Sequence, residues 1–262
     1  MTNYRDVEQY FSGQELIGED FCAKDIAQWL ADEKEATSNI RGTEWKYAYH
    51  ALNWFHGYRK IPKKTFSSSL SFGGGDGSEL LPILDRLEEV RVLEPSESVK
   101  PTINAKYIAP CADGSLPFAD STFELITCLS ALHHVPNVST IIKELYRCTM
   151  SGGFVLLREP IISMGDWRKP RPGLSKHERG IPLYLLRSFI ERAGFRVMSE
   201  SKCCFAPLMY VNRKLHARGY NSRLLVLLDY ILSSLSIWPA KYHAKSSFDK
   251  FRPMGVFYLL TK

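Results

Sequence analysis

From residue 66 onward, short apolar runs alternate with amphipathic stretches of helical periodicity. This alternation is typical of βαβ units, which build a mostly parallel sheet with helices on its faces. The apolar runs predict strands at 68–72, 90–94, 106–110, 123–129, 152–160, 195–203 and 255–262. The amphipathic stretches predict helices at 78–87, 138–149 and 182–194. We therefore expect an open α/β sheet that binds its ligand at the carboxyl ends of the first four strands.

Two regions depart from this pattern. Residues 1–64 combine helical spacing with many aromatic side chains, as at 20–36 and 44–58, and we interpret them as an N-terminal helical cap. The α/β domain then occupies residues 65–262. It contains an insertion at 206–250 that is basic at its start and apolar in its middle. We expect this insertion to be helical and to act as a candidate lid over an acceptor molecule.

Composition narrows the class of protein only a little. The 262 residues are 45% apolar and 24% charged, as in ordinary globular proteins, and a net charge of +6 fits a phosphate-bearing substrate as well as nucleic acid. The first ten residues, MTNYRDVEQY, are too polar for the apolar region of a signal peptide. The apolar stretch 224–238 is short and is interrupted by Asp229, so we expect no transmembrane segment. Six cysteines without CxxC spacing indicate reduced thiols and a cytoplasmic protein.

The stretch LSFGGGDGS, at residues 70–78, places glycines between the first predicted strand and the first predicted helix. Such a turn lets backbone N–H groups and a helix N-terminus approach a ligand without obstruction by side chains. A GxGxxG motif would need glycine where Ser78 stands, and the GK[ST] of a P-loop is absent. The remaining pattern is G-x-G-x-G, formed by Gly73, Gly75 and Gly77.

Glu94 ends the second predicted strand, VRVLE, 17 residues after Gly77. A carboxylate at this position can accept hydrogen bonds from both ribose hydroxyls of an adenosine cofactor. A solvated charge at a strand end is the structural alternative for Glu94.

Four blocks in order resemble the class I S-adenosylmethionine-dependent methyltransferases: LSFGGGDGS, VLEPSES, CADGSLPFADSTFELITCLSALHHVPN and ELYRCTMSGGFVLLREP. More narrowly, the sequence is similar to a broad group that shares an LPF, DxSFD, HHV, R and GG pattern. The resemblance covers residues 66–200. It implies a Rossmann-like, doubly wound sheet of seven strands with the last strand antiparallel. It also implies S-adenosylmethionine as cofactor and methyl transfer as activity.

The resemblance assigns cofactor-binding positions in this sequence. These are Gly73, Gly75, Gly77, Glu94, Pro95, Ala112, Asp113, Gly114 and Ser130. It places the glycines at the methionine and ribose portion and Glu94 at the ribose hydroxyls. Asp113 is placed at the adenine amino group, and Leu116 near the adenine loop. One position departs from the family, because Ser71 stands two residues before the first glycine, where an acidic residue is common. Asp76, inside the loop, is the candidate for compensation.

Methyl transfer to an alcohol or phenol requires a base, and histidine is the usual one. His133 and His134 follow the fourth predicted strand, and His177 follows the fifth, so these three are the candidate bases. Glu159 ends the fifth strand and is placed to orient a base or to bind acceptor hydroxyls. A core histidine, a turn cap and a loop-stabilising carboxylate are the structural alternatives.

Other chemistries lack their residues. Metal-assisted methyl transfer uses clustered Asp and Asn ligands after strands four and five, and ALHHVPN and REPIIS offer no such set. Amino-methylating enzymes of nucleic-acid bases carry [DNS]PP[YFW] after strand four, where this chain has LSALHH. Cys111 precedes Asp113 instead of following strand four, and we interpret it as structural. We therefore expect neither a metal nor a nucleic-acid partner.

The acceptor is left open between several classes. Five basic residues in the loop 165–180 and a basic start to 211–223 favour an anionic acceptor, such as a nucleotide sugar, glycan or lipid-linked phosphate. The apolar stretch 224–238 is either a membrane-surface contact or a helix buried at the sheet edge. The leading hypothesis is O-methylation of a small-molecule or glycan acceptor, in polysaccharide or secondary-metabolite biosynthesis. An inactive cofactor-binding scaffold and an NAD(P)-dependent oxidoreductase are the alternatives.

Overall fold

The computed structural model describes residues 7–40, 49–96, 99–111, 115–171, 173–214, 219–236 and 241–262. Its centre is a seven-stranded sheet in the order β3-β2-β1-β4-β5-β7-β6. The strands are β1 (Phe66–Phe72), β2 (Leu87–Leu93), β3 (Lys106–Ile108), β4 (Phe123–Leu129), β5 (Thr149–Pro160), β6 (Arg196–Phe205) and β7 (Pro253–Thr261). β7 runs antiparallel to both of its neighbours, and the pairs from β3 to β5 are parallel. The predicted fold class is confirmed.

Helices cover both faces of this sheet. The α-helices of the described residues are α1 (Val7–Ser12), α2 (Ala23–Ile40), α3 (His50–His56), α4 (Val138–Cys148), α5 (Leu183–Ala193), α6 (Ala206–Lys214) and α7 (Arg223–Leu235). Apolar residues of α4 and α5, such as Ile141 and Leu186, join one core layer with Ile126 of β4. The opposite layer contains Leu52 of α3 and Val226 of α7. Burial of these stripes is the main force that holds the helices on the sheet.

The N-terminal residues do not act as one uniform layer. Phe11 of α1 and Trp29 of α2 pack against Trp167 and Tyr242 in a separate apolar cluster, next to the segment that follows β5. In contrast, α3 lies directly on the sheet through Leu52. The first five residues of the second predicted N-terminal stretch, 44–48, lie outside the described residues.

The segment after the glycine loop differs from the prediction. Residues Ser78–Arg86 form a 3₁₀ helix where an α-helix was expected, and β2 begins at once with Leu87. Pro82 lies inside this segment, where its ring removes one backbone donor and disfavours an α-helical turn. The segment therefore leads from the glycine loop, at the carboxyl end of β1, back to the start of β2, which pairs with the start of β1.

β1 and β4 lie side by side at the centre of the sheet, with Ser71 opposite Thr127 in the register. The chain order proceeds outward from β1 through β2 to β3, and from β4 to the other edge. This reversal leaves a crevice beyond the carboxyl ends of the two central strands, where open α/β sheets bind their ligands. None of the described helices has the length and apolar character needed to cross a bilayer.

Candidate functional site

The glycine loop follows β1 and adopts the left-handed conformation at three positions. The φ angles of Gly73, Gly75 and Gly77 are 64°, 54° and 80°, a region that other residues enter at a cost. A Cβ on Gly73 would lie 2.5 Å from the Cβ of Ala131, and one on Gly77 would lie 2.6 Å from Ile103. A Cβ on Gly75 would meet nothing within 4 Å. Gly75 is therefore the glycine that faces open space, while the other two are required by packing.

Gly74 has its own reason to lack a side chain. A Cβ there would lie 2.0 Å from the Oγ of Ser71 and 2.8 Å from its Cβ. Gly74 and Ser71 therefore fit each other, although the motif treats the position of Gly74 as variable.

The carboxylate of Glu94 lies against the loop. Its Oε2 accepts a hydrogen bond from the Gly75 N–H at 3.0 Å, and its Oε1 accepts one from the Ser96 N–H at 3.1 Å. Pro95, beside it, is exposed. Glu94 and the open side of Gly75 thus form a cradle for a small polar ligand at the ends of β1 and β2.

The next residues to consider are those that the resemblance places at the adenine. Ala112, Asp113 and Gly114 lie outside the described residues. Leu116, just after them, is buried in the core layer of α4 and α5, and its N–H donates to Glu144 at 3.0 Å. Its position is that of a packing residue that anchors the loop.

A carboxylate does lie beside Ser71, but it belongs to Glu79. The Ser71 hydroxyl donates to the Glu79 Oε1 at 2.8 Å, and the Thr127 hydroxyl lies 3.4 Å from the same oxygen. Burial raises the pKa of Glu79 to about 7, against the opposing effects of the Ser71 hydroxyl and the Arg158 charge. Glu79 thus brings a carboxyl group to the place where the family pattern has an acidic residue on β1.

Asp76, the residue that the sequence suggested for this role, is used within the loop. Its carboxylate accepts hydrogen bonds from the Ser78 N–H at 3.0 Å and from the Thr102 hydroxyl at 2.9 Å. Burial opposes its charge, but these hydrogen bonds hold the pKa of Asp76 below its usual value. Asp76 therefore closes the loop onto Thr102.

A buried arginine, Arg158, lies on β5. Arg158 Nε donates to the Ser130 Oγ at 3.0 Å, and Nη1 donates to the Asn53 Oδ1 at 2.5 Å. Its guanidinium lies 4.6 Å from the ring centre of Tyr49. Ser130 has a φ of 64°, so the turn after β4 is held in an unfavourable conformation next to this cation. The Arg158 charge acts on the buried carboxyl group of Glu79, so a guanidinium and a carboxyl group lie near each other at this end of the sheet.

Glu159 organises the turn that carries the two adjacent histidines. Its Oε1 accepts the N–H groups of Ala131 and Leu132 at 2.9 and 2.8 Å. Its Oε2 accepts the His133 N–H at 3.2 Å and contacts the His133 Nδ1 at 2.8 Å. These donors open the short 3₁₀ helix Leu132–His134, so the carboxylate caps that helix and also fixes one ring.

His133 is buried between two carboxylates. Its Nδ1 contacts Glu159, and its Nε2 lies 3.6 Å from the Glu178 Oε1. Burial alone would favour the neutral ring, but the two carboxylates raise the pKa of His133 to about 9. The same partnership lowers the pKa of Glu178 to about 2 against the effect of its burial. The surroundings of His133 therefore stabilise an imidazolium at neutral pH.

His134 is the more accessible of the two, with 37% of its side chain exposed. Its Nδ1 lies 2.9 Å from the Glu33 Oε2, and its ring centre lies 4.1 Å from that of His133. Glu33 comes from α2, and the Trp29 Nε1 of the same helix donates to the His134 backbone oxygen at 2.7 Å. The N-terminal helix thus orients the histidine by one nitrogen.

His177 lies in the same cluster but is enclosed. Its Nε2 contacts the Asp32 Oδ2 at 2.7 Å, and its ring stacks on Trp29 with 4.3 Å between ring centres. Burial lowers the pKa of His177, although the neighbouring carboxylates oppose this. All four predicted catalytic residues, His133, His134, Glu159 and His177, therefore lie in one connected group.

This group also contains a set of possible metal ligands. His133, His134 and Glu178 each offer one ligand atom, and these atoms lie within 4.8 Å of one another. Two histidines and a carboxylate suit a divalent transition ion. The sequence predicts no metal, and that expectation stays a prediction.

The basic loop 165–180 makes its contacts within the protein. Arg168 pairs with Asp166 at 2.8 Å, and Lys169 lies 3.8 Å from the same carboxylate. Arg171 and Arg179 donate to backbone oxygens. Lys176 Nζ donates to Asp32 at 2.7 Å. The anionic-acceptor hypothesis gains no support from this loop, because its basic groups already have partners.

Four residues of the candidate site were not predicted from the sequence. They are Asp32, Glu33, Glu79 and Arg158. The first two lie on an amphipathic helix, where an acidic residue reads as a solvated charge. Arg158 lies inside an apolar strand run, and a buried charge there was the available signal for a polar site.

Comparison with known proteins gives a consistent classification. Residues 70–157 match the family described as a methyltransferase domain. Over 198 residues, or 72% of this chain, the sequence is 23% identical to the 2-methyl-6-phytyl-1,4-hydroquinone methyltransferase of Synechocystis sp., of which the match covers 57%. A stretch of 45 residues, 17% of this chain, is 44% identical to the demethylmenaquinone methyltransferase of Anoxybacillus flavithermus and covers 19% of it. The matches thus span little more than half of these relatives at most.

Among solved structures, an S-adenosylmethionine-dependent methyltransferase from Mesorhizobium loti shares the fold. The TM-score is 0.54 at 18% identity, and the match covers 85% of this chain and all of the other. At this identity, the likeness concerns the fold alone.

Proposed function

We propose that this protein transfers a methyl group from S-adenosylmethionine to a hydroxyl oxygen of an acceptor, because residues 70–157 match the methyltransferase-domain family and the fold is shared with an S-adenosylmethionine-dependent methyltransferase. The observation that carries this proposal is the cradle formed by Gly75 and Glu94, whose backbone and carboxylate fit a ribose placed against the loop. The bound cofactor would supply a methyl group on a positively charged sulfur.

The crevice residues divide the binding of the cofactor between them. Glu94 holds the ribose hydroxyls, and the open side of Gly75 admits the sugar. At the amino-acid end, the Arg158 guanidinium suits a carboxylate and the Glu79 carboxyl group suits an ammonium. Gly73, Gly77, Pro95 and Ser130 shape the walls, and Ala112, Asp113 and Gly114 receive the adenine as the resemblance implies.

We propose His134 as the base that removes the acceptor proton. Its Nδ1 faces Glu33, which leaves Nε2 as the basic atom and fixes the ring in direction. Exposure of its side chain gives an acceptor access that His133 and His177 lack. The imidazolium of His133 and the carboxylate of Glu159 then position the turn and exclude water from its far side.

The variant His134→Gln tests this assignment. We expect kcat to fall by about 10²- to 10⁴-fold while the affinity for S-adenosylhomocysteine, measured by calorimetry, stays unchanged. His243→Gln is the matched control, because His243 is half-buried and contacts the Ser163 hydroxyl, at 2.8 Å, instead of a carboxylate. Loss of activity in both variants, or in neither, would contradict a specific role for His134.

A hydroquinone-type acceptor is the second candidate. The Synechocystis relative is named for a phytyl hydroquinone and the Anoxybacillus relative for demethylmenaquinone. The exposed leucines of α7 are a specific observation that favours an apolar acceptor over a glycan. A panel of isoprenoid hydroquinones and nucleotide sugars, assayed with methyl-labelled cofactor, separates the two classes.

Each of the two remaining alternatives to a methyltransferase activity has its own test. A cofactor-binding scaffold would bind S-adenosylhomocysteine but label no acceptor in that panel. An NAD(P)-dependent oxidoreductase would be stabilised by a nicotinamide nucleotide in thermal denaturation. We propose a cytoplasmic location, which the six cysteines without CxxC spacing support.

A further inference from the structure

Helix α7 is oriented with its polar residues inward. Asp229 and Ser233 are completely buried, together with Val226. The opposite side exposes a stripe of leucines and isoleucine at helical spacing: Leu224, Leu227, Leu228, Ile231 and Leu235. The two end residues, Leu224 and Leu235, are 75% and 69% exposed. A helix that packs only for burial of apolar surface would show the reverse arrangement.

Hydrogen bonds to Asp229 hold this orientation. Its Oδ2 accepts the Cys204 N–H at 2.8 Å, and its Oδ1 accepts the Phe205 N–H at 2.7 Å. The Tyr220 hydroxyl donates to the Oδ1 at 3.2 Å. Rotation of α7 to bury the leucines would leave these buried donors without an acceptor, at a cost that apolar contact does not recover. The hydrogen bonds of Asp229 therefore keep the apolar stripe of α7 exposed.

Charge around the stripe has one sign. Exposed Arg213 and Lys214 end α6, and exposed Arg223 begins α7. Tyr210 and Val211 of α6 add exposed apolar surface beside them. Within the sequence 206–236, Asp229 is the one acidic residue, and it is buried. The surface thus combines exposed apolar residues with exposed basic side chains.

We infer that α6 and the exposed stripe of α7 form a docking surface for an anionic lipid bilayer, on which the protein lies without spanning it. Apolar side chains enter the boundary between headgroups and acyl chains, and basic side chains attract the anionic headgroups. A second copy of this chain is the competing occupant. A two-fold contact would bring the same basic residues together, so like charges oppose it.

Vesicle flotation tests this surface with the wild-type chain of 262 residues. We expect binding to phosphatidylcholine vesicles that contain phosphatidylglycerol, and at least about tenfold weaker binding to phosphatidylcholine alone. Leu224→Gln with Leu228→Gln should reduce binding by about tenfold or more, since both side chains enter the lipid. Arg213→Gln with Lys214→Gln should reduce it similarly and lower its sensitivity to salt.

Tyr184→Gln is the control, because Tyr184 is an exposed aromatic residue of α5, outside this surface. Its binding should equal that of the wild type, and the melting temperature should show that every variant is folded. Equal binding to both vesicle types, or unchanged binding by the leucine variant, would overturn the proposal. So would a dimer in light scattering that the leucine variant converts to a monomer without any vesicle binding.

Discussion

Glu79 supplies, from a different element, a carboxyl group that the family pattern has on β1. Ser71 lacks the carboxylate that the family pattern has on β1, and Glu79 returns one from the segment after the loop, 2.8 Å from the Ser71 hydroxyl. The price is a partly protonated group at neutral pH, because burial raises the pKa of Glu79 to about 7. Its folded state retains a proton that the unfolded chain releases near pH 4.5.

This shift fixes the sign of a pH effect. A raised pKa contributes stability that is fully present below pH 4.5 and is lost as the pH rises to 7. Glu79→Gln removes this loss, so the free energy of unfolding of the variant, relative to wild type, should rise by about 3 kcal/mol between pH 4.5 and pH 8. Urea denaturation across this range measures it. The exposed Glu88→Gln serves as control, and parallel curves for all three proteins would contradict the assignment.

The glycines can be separated by substitution in the same way. Gly73→Ala should lower the free energy of unfolding by about 3 kcal/mol, because the new methyl group collides with Ala131 in a left-handed backbone. Gly75→Ala should cost only about 1 kcal/mol, since no group of the protein lies within 4 Å of its Cβ. Its effect should instead appear in calorimetry as weakened binding of S-adenosylhomocysteine. Equal losses of stability would show that both glycines have the same packing role.

At the scale of elements, the turn after β4 depends on a single side chain of β5. Glu159 accepts three backbone N–H groups at the start of the helix Leu132–His134 and also holds the His133 ring. Few residues separate this helix from β4, so its geometry comes from the neighbouring strand. The two histidines are thereby aimed by an element distant in sequence.

Glu159→Gln should therefore lower the free energy of unfolding by about 3 kcal/mol, because an amide offers one acceptor oxygen to several donors and removes one of the two charge partners of His133. Chemical denaturation at pH 7 measures this loss. Glu124→Gln, on β4, is a control with exposed partners, as the Glu124 Oε1 contacts the half-exposed Lys64. A loss of less than about 1 kcal/mol would mean that the turn forms without Glu159.

The sequence predicts elements better than it predicts partners. The strand runs were located within a few residues, because strands buried on both faces read as continuous apolar stretches. A helix was predicted at 78–87, but its 3₁₀ type was not, since periodicity alone does not register the effect of Pro82. The pairing of Glu33 with His134 and of Glu79 with Ser71 was also missed, because tertiary packing alone brings these residues together.

At the scale of the whole molecule, the residues of the candidate site come from distant segments of the chain and meet at the carboxyl ends of the strands. The glycine loop and Glu94 come from β1 and β2, Arg158 comes from β5, and Glu33 comes from α2. The insertion lies on the opposite layer from α4 and α5 and presents the apolar stripe of α7. The cofactor cradle and the apolar stripe of α7 are thus assigned to different segments, which mutations can address separately.

The central claim is that the cradle of Gly75 and Glu94 binds an S-adenosylmethionine-type cofactor. The most direct test is isothermal titration calorimetry of S-adenosylhomocysteine with the wild type, Glu94→Gln and the exposed control Glu88→Gln. We predict saturable binding by the wild type and the control, and at least about tenfold weaker binding by Glu94→Gln, since hydrogen bonds to a charged group are worth about 1.5–3 kcal/mol. Absence of binding by the folded wild type, or equal affinity of all three proteins, would contradict the account.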